Sequence, residues 1–320
     1  MGLIENPKTY TGRDLETIFF RPMLTGKNAE QLGIRVLYNM PTPTTIQLWS
    51  PLDDVLQPYS VGWNGGCASN RQQKTIELSR VKAELCFCAA DYFSQVYELI
   101  ASRADVNLDD LTGTELEQAE TEMFRAAIAE SLRVTMWIGD TTANSHNLFD
   151  GFITKILKYD GCTHVDFTNY EIDGESSIHI FQKLWEQSPA LLKSMKSDGN
   201  LVLLVSSDVY DAYEQYLDSR GSDAAYTDLT TGRRELSYHG IKLIDIGVSH
   251  LLPTTNIEGP ICILTDRRNL VLAVNTADYP GSEVRMWYNH DDMENRQRAI
   301  FMAGCEVLDE TLVSVAKFKA

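Results

Sequence analysis

The chain has 320 residues, of which 43% are hydrophobic and 23% charged, with 10 Pro, 20 Gly and 6 Cys. That excludes disordered, collagenous and disulfide-scaffold classes and leaves ample apolar material for one large domain or two ordinary ones. Its 28 basic against 45 acidic residues leave a formal charge of −17, a field that repels phosphate backbones; it disfavours a sequence-reading DNA-binding protein but not a container whose acidic walls do not grip nucleic acid.

The longest wholly apolar run, Leu85 to Ala90, falls far short of the roughly 20 residues of a membrane-spanning helix. The N-terminus has neither a secretory signal nor the Ser/Thr of a myristoylation site, so folding in the cytoplasm is expected.

Residues 1–34 mix turn formers with the apolar patch Ile18 to Leu24, which includes Phe19 and Phe20, and read as an arm that packs on something else. Strands are expected at Gly33–Tyr38 and Thr44–Trp49. A return strand is expected over Lys74–Cys88, where Val81, Ala83, Leu85 and Phe87 alternate with Lys82, Glu84 and Cys86. Between them lie several prolines and the run Gly62-Trp63-Asn64-Gly65-Gly66-Cys67. Residues 35–88 therefore form a long two-sided excursion with no helix to cover it, and its tryptophans, Trp49 and Trp63, suit a protein interface.

Cys86 and Cys88 share one strand face, but no second Cys or Cys/His pair lies nearby to complete a zinc site, and buried thiols are the expectation.

Asp91–Arg103 reads as a short helix. The acidic stretch Asp105–Asp110 lacks the glycine and the final glutamate of a calcium loop and reads as a capped turn. Thr112-Gly113-Thr114-Glu115 is a capping box, opening a helix from Glu115 to Ile138 that Gly139 stops. Leu116, Met123, Phe124, Ala127 and Ile128 give this helix one apolar face.

Beyond Phe149-Asp150-Gly151-Phe152-Ile153 a β/α alternation begins. A strand is expected over Val165–Ile172, a helix over Ile178–Met195 interrupted at Ser188-Pro189, and a buried strand over Leu201–Ser206. Ser207-Asp208 then caps a helix over Val209–Leu217. Further strands are expected at Ile241–Ile244, Ile261–Leu264, Leu270–Val274, Met286–Tyr288, Ile300–Ala303 and Leu312–Phe318. The whole is a mixed α+β chain.

The chemistry-bearing signatures are missing. There is no phosphate-binding loop, no G-x-S-x-G elbow and no H-E-x-x-H, and the six histidines are scattered singly. His290-Asp291-Asp292 reads as a solvated turn. No catalytic, metal or cofactor-binding residue is expected.

The order of parts is informative: Phe124–Glu130 through Gly139-Asp140, then Asp150-Gly151-Phe152, Leu201–Tyr210, Tyr238–Leu243, Ile261–Asp266, and the closing Val284-Arg285-Met286, Asn295–Ala299 and Val313–Phe318. In that order and spacing the chain resembles the tailed-phage major capsid proteins of the Hong Kong 97 type. The resemblance implies an N-terminal arm (1–34), an extended β loop (35–88), a peripheral domain (89–160 and 281–320) with its spine helix at 115–138, and an axial domain (161–280).

It further implies self-assembly as pentamers and hexamers into an icosahedral head around double-stranded DNA held without sequence-specific binding. The partners would be a portal and a separate scaffolding or decoration protein, and the location the virion. Phe19, Phe20, Trp49, Trp63, Asn64 and Cys67 are the expected intersubunit residues. Two rivals fit the same residues: an encapsulin-like nanocompartment holding an enzyme cargo, and a cytosolic acidic α+β enzyme with no recognisable site.

Overall fold

In a computed structural model of the protein the described residues are 29–40, 44–50, 59, 61–62, 70–87, 115–168, 171–220, 235–255, 257, 259–275 and 285–319. The elements in chain order are Arg35–Leu37 (β1), Thr44–Ser50 (β2), Asn70–Ile76 (β3), Ser79–Phe87 (β4), Glu115–Ile138 (α1), Phe152–Lys158 (α2), Thr163–Thr168 (β5), Gly174–Gln187 (α3) and Ala190–Ser194 (α4). They continue with Leu201–Val205 (β6), Ser207–Ser219 (α5), Ser237–Tyr238 (β7), Ile241–Asp245 (β8), Cys262–Asp266 (β9), Leu270–Val274 (β10), Arg285–Asn289 (β11), Glu294–Val307 (β12) and Val313–Lys319 (β13).

Among the described residues three sheets result. A six-stranded sheet has the order β5-β13-β9-β6-β8-β7; a five-stranded sheet joins β1, β10, β12, β11 and β4; and β2 pairs with β3 alone. In the six-stranded sheet β6 is buried on both faces, and its side chains divide by parity. Leu201, Leu203 and Val205 meet α3 and α5 through Ile180, Phe181, Leu184, Val209 and Tyr213. Val202 and Leu204 turn the other way, into the cluster that contains α1 and α2.

That second cluster joins the two large sheets. It holds Phe124, Ile128, Leu132, Val134, Met136, Trp137 and Ile138 of α1, Phe152, Ile153 and Ile156 of α2, and Phe301, Ala303 and Cys305 of β12. The helix changes character along its length: around Phe124 and Ile128 one face is buried, but every residue from Leu132 to Gly139 is buried.

A charge is buried in this stretch. Arg133, 1% exposed, donates to both Glu130 carboxylate oxygens at 2.8 and 2.6 Å and to the Ile246 carbonyl at 2.9 Å. It thereby fastens the helix to the segment that follows β8. Where α1 ends, the backbone crosses itself: the Gly151 N–H donates to the Gly139 carbonyl at 2.8 Å. A Cβ on Gly139 would lie 2.3 Å from the Phe149 carbonyl oxygen, and one on Gly151 2.6 Å from that of Trp137. Glycine is required at both for steric reasons, and the crossing delivers the chain into α2.

Several expectations shift. The helix at 115–138 has the expected bounds; its capping residues 112–114, the helix at 91–103 and the turn at 105–110 lie outside the described residues. The return strand over 74–88 is two strands, broken at Glu77-Leu78, because its first part pairs with β2 and its second with β12. α3 begins four residues before Ile178, at a capping box in which Asp173 accepts from the Ser176 N–H. The strand expected at Ile300–Ala303 is 14 residues long: its charged first half carries no apolar alternation, yet it is paired on both edges.

β11 and β12 lie in the five-stranded sheet, and β13 pairs with β5 and β9 in the other. Among the described residues no helix is long and apolar enough to cross a membrane.

Replacing Arg133 by Met strands the Glu130 carboxylate and leaves the Ile246 carbonyl unpaired. It is expected to cost about 3 kcal/mol of stability, read from the urea midpoint.

Candidate functional site: a projecting hairpin and its charged base

The β2–β3 hairpin is paired from Thr44↔Ile76 to Ser50↔Asn70 and, among the described residues, to no third strand. Its base is held by two kinds of contact. Ile76 and Leu78 pack with Val271 and Ala273 on the face of β10 opposite the main core, with Ile46 against them. Beside them β3 runs into β4 across β12, where a Cβ on Gly304 would stand 2.2 Å from the Glu77 carbonyl oxygen, so only glycine lets the strands approach.

The second contact is ionic. Lys74 lies 2.8 Å from Glu310 and 3.8 Å from Glu306, with its ammonium 4.5 Å from the centre of the Tyr159 ring. Glu306, 5% exposed, accepts from Lys155 Nζ at 2.6 Å and from the Tyr159 hydroxyl at 2.5 Å. Lys155 also donates to the Cys305 carbonyl at 2.7 Å.

Two cations and a phenol thus surround one buried carboxylate, which satisfies a group that would be costly to bury alone. Burial, then the Glu306 hydrogen bond, pushes the Tyr159 phenol far above its ordinary range. Burial, then Glu310, raises the Cys162 thiol to about 12, which keeps it protonated and inert.

β4 pairs with β12 from Ser79↔Ala303 back to Phe87↔Asn295, whereas Lys74 of β3 reaches Glu306 and Glu310 beyond. Tyr59 and Val61, in the connection between β2 and β3, are 95% and 90% exposed.

At the opposite end, β11, β12 and β4 form a three-stranded arm, because Asn295 to Arg298 pair with both neighbours at once. His290 to Met293 make its terminal turn, where Asp292 accepts from Arg296 and, at 2.7 Å, from Asn289.

Of the expected interface residues, Trp49 lies in β2 opposite Arg71; Phe19, Phe20, Trp63, Asn64 and Cys67 lie outside the described residues. The expectation of buried thiols at Cys86 and Cys88 fails at Cys86, which is exposed opposite Arg296, and Cys88 lies outside the described residues; Cys162, Cys262 and Cys305 are buried. The strand of Cys86 is covered on one face only. No group of three or more metal-ligating side chains occurs among the described residues.

Sequence reading missed the cluster at Lys74, Lys155, Tyr159, Glu306 and Glu310 because its members come from four separate segments. The only trace in the sequence is an acidic residue in an otherwise apolar strand end, Gly304-Cys305-Glu306-Val307.

The loop leaving α1 has its own clasp. Lys158 lies 3.0 Å from Asp150 and 3.6 Å from Asp140, and Thr141 donates its N–H and hydroxyl to Asp150 at 2.9 and 2.8 Å. Burial raises the Asp150 pKa, but the Thr141 and Lys158 hydrogen bonds outweigh it and leave the carboxyl below its ordinary value of 3.8.

Three outcomes follow. Glu306→Gln leaves Lys155 and Lys74 without their shared anion and is expected to cost about 3 kcal/mol, whereas Lys74→Met is expected to speed amide exchange selectively over residues 70–76. A carboxyl with a depressed folded-state pKa stabilises the fold above its unfolded value and loses that contribution as pH falls through the folded one. The stability gap between wild type and Asp150→Asn, read by urea unfolding, is therefore expected to be full at neutral pH and to close below about pH 4.

No protein-family description matches the chain, and no curated protein matches it by sequence. Solved structures do match it by shape. The capsid of a native GTA particle superposes with a TM-score of 0.55 at 13% identity, covering 99% of this chain and 96% of that one. The procapsid of satellite phage P4, which includes its size-determination protein, gives 0.54 at 10% identity over 91% and 95%. The capsid of cyanophage P-SCSP1u gives 0.53 at 11% identity over 99% and 97%. A likeness running the length of both chains, at sequence identities this low, is a likeness of fold, and the fold of this chain is that of phage capsid proteins.

Proposed function

We propose that the chain is a major capsid protein of the Hong Kong 97 type, assembling as pentamers and hexamers into an icosahedral phage head around double-stranded DNA. The observation that carries this reading is end-to-end likeness to capsid subunits, 99% of this chain against 96% of the GTA capsid chain. A hairpin paired to no third strand among the described residues supports it, since such an element gains partners in an assembly.

In this reading residues 89–160 and 281–320, with α1 as the spine helix, are the peripheral domain and residues 161–280 the axial one. Residues 35–88, which contain the β2–β3 hairpin, are the extended loop laid over a neighbour, and residues 1–34 are an arm reaching further. Phe19, Phe20, Trp49, Trp63, Asn64 and Cys67 are intersubunit contacts; a portal and a separate scaffolding or decoration protein are partners; the virion is the location.

Function is then geometric: many weak contacts, repeated around closed rings, stabilise a shell without any catalytic site or cofactor. The charge of −17 keeps the wall from gripping the genome.

Negative-stain electron microscopy of the expressed protein, with and without scaffold and with sedimentation alongside, is expected to show closed particles or flat hexameric sheets. Small uniform oligomers under every condition would overturn the reading. Deleting residues 60–68 is expected to abolish or alter closed shells while circular dichroism shows a folded subunit; unchanged shells would remove the loop from the assembly contacts.

A further inference from the structure

We draw no further inference here: the strongest candidate, the cationic outer face of the β11–β12–β4 arm, where Arg285 stands opposite Arg298 beside Trp287 and Ile300, restates as a seat for a neighbouring copy what the capsid reading already contains, and nothing in the structure shows what else would cover it.

Discussion

From Leu132 to Ile138 the long helix has no side turned to water, and a helix buried all round must be enclosed by other elements. Both large sheets and α2 supply that enclosure: Val202, Leu204 and Val315 from the six-stranded sheet, Phe301, Ala303 and Cys305 from β12, and Phe152 from α2 all meet in one cluster around it. The two sheets therefore share a single apolar junction and are held in one orientation by a close-packed interior. The Gly139–Gly151 crossing serves the same end, returning the chain at once so that α2 can cover what the helix exposes.

That rigid junction gives the projecting parts their direction. The hairpin base lies on the reverse side of β10, against Val271 and Ala273, and is fixed laterally by Lys74 in the field of Glu306 and Glu310. A buried carboxylate with partners from β3, α2 and β12 acts as a registration point more than as a source of net stability, because the cost of desolvation nearly offsets the attraction. Its value is directional: displacing any one partner strands a charge, so the hairpin cannot slide without a penalty. At the other end of β12 the three-stranded arm is covered on one face only, and its cations remain at the surface.

A shell subunit of the kind proposed above needs a rigid centre and surfaces that stay incomplete in the monomer. Apolar side chains from the sheets and helices are absorbed in the clusters around α1 and α3–α5, while Tyr59, Val61 and Ile300 remain exposed on the hairpin connection and the arm. Single exposed apolar residues are ordinary, and Leu148 and Leu191 are also exposed, outside the hairpin and the arm.

The sequence by itself determined the long helix to its end residues, the two-sided burial of Leu201–Val205, the break at Ser188-Pro189 and the positions of most later strands, because each is written in local periodicity, caps and prolines. The order of those elements was also legible, and with it the likeness to capsid proteins. Tertiary structure alone decided the length of β12, whose Asn295, Gln297, Arg296 and Arg298 alternate without an apolar signal, and the division of the last strands between two sheets. It alone assembled Lys74, Lys155, Tyr159, Glu306 and Glu310, and the cationic arm face, since pairing across hundreds of residues leaves no periodic trace. Local chemistry specifies elements; which elements meet depends on burial shared among segments that no short window of sequence contains.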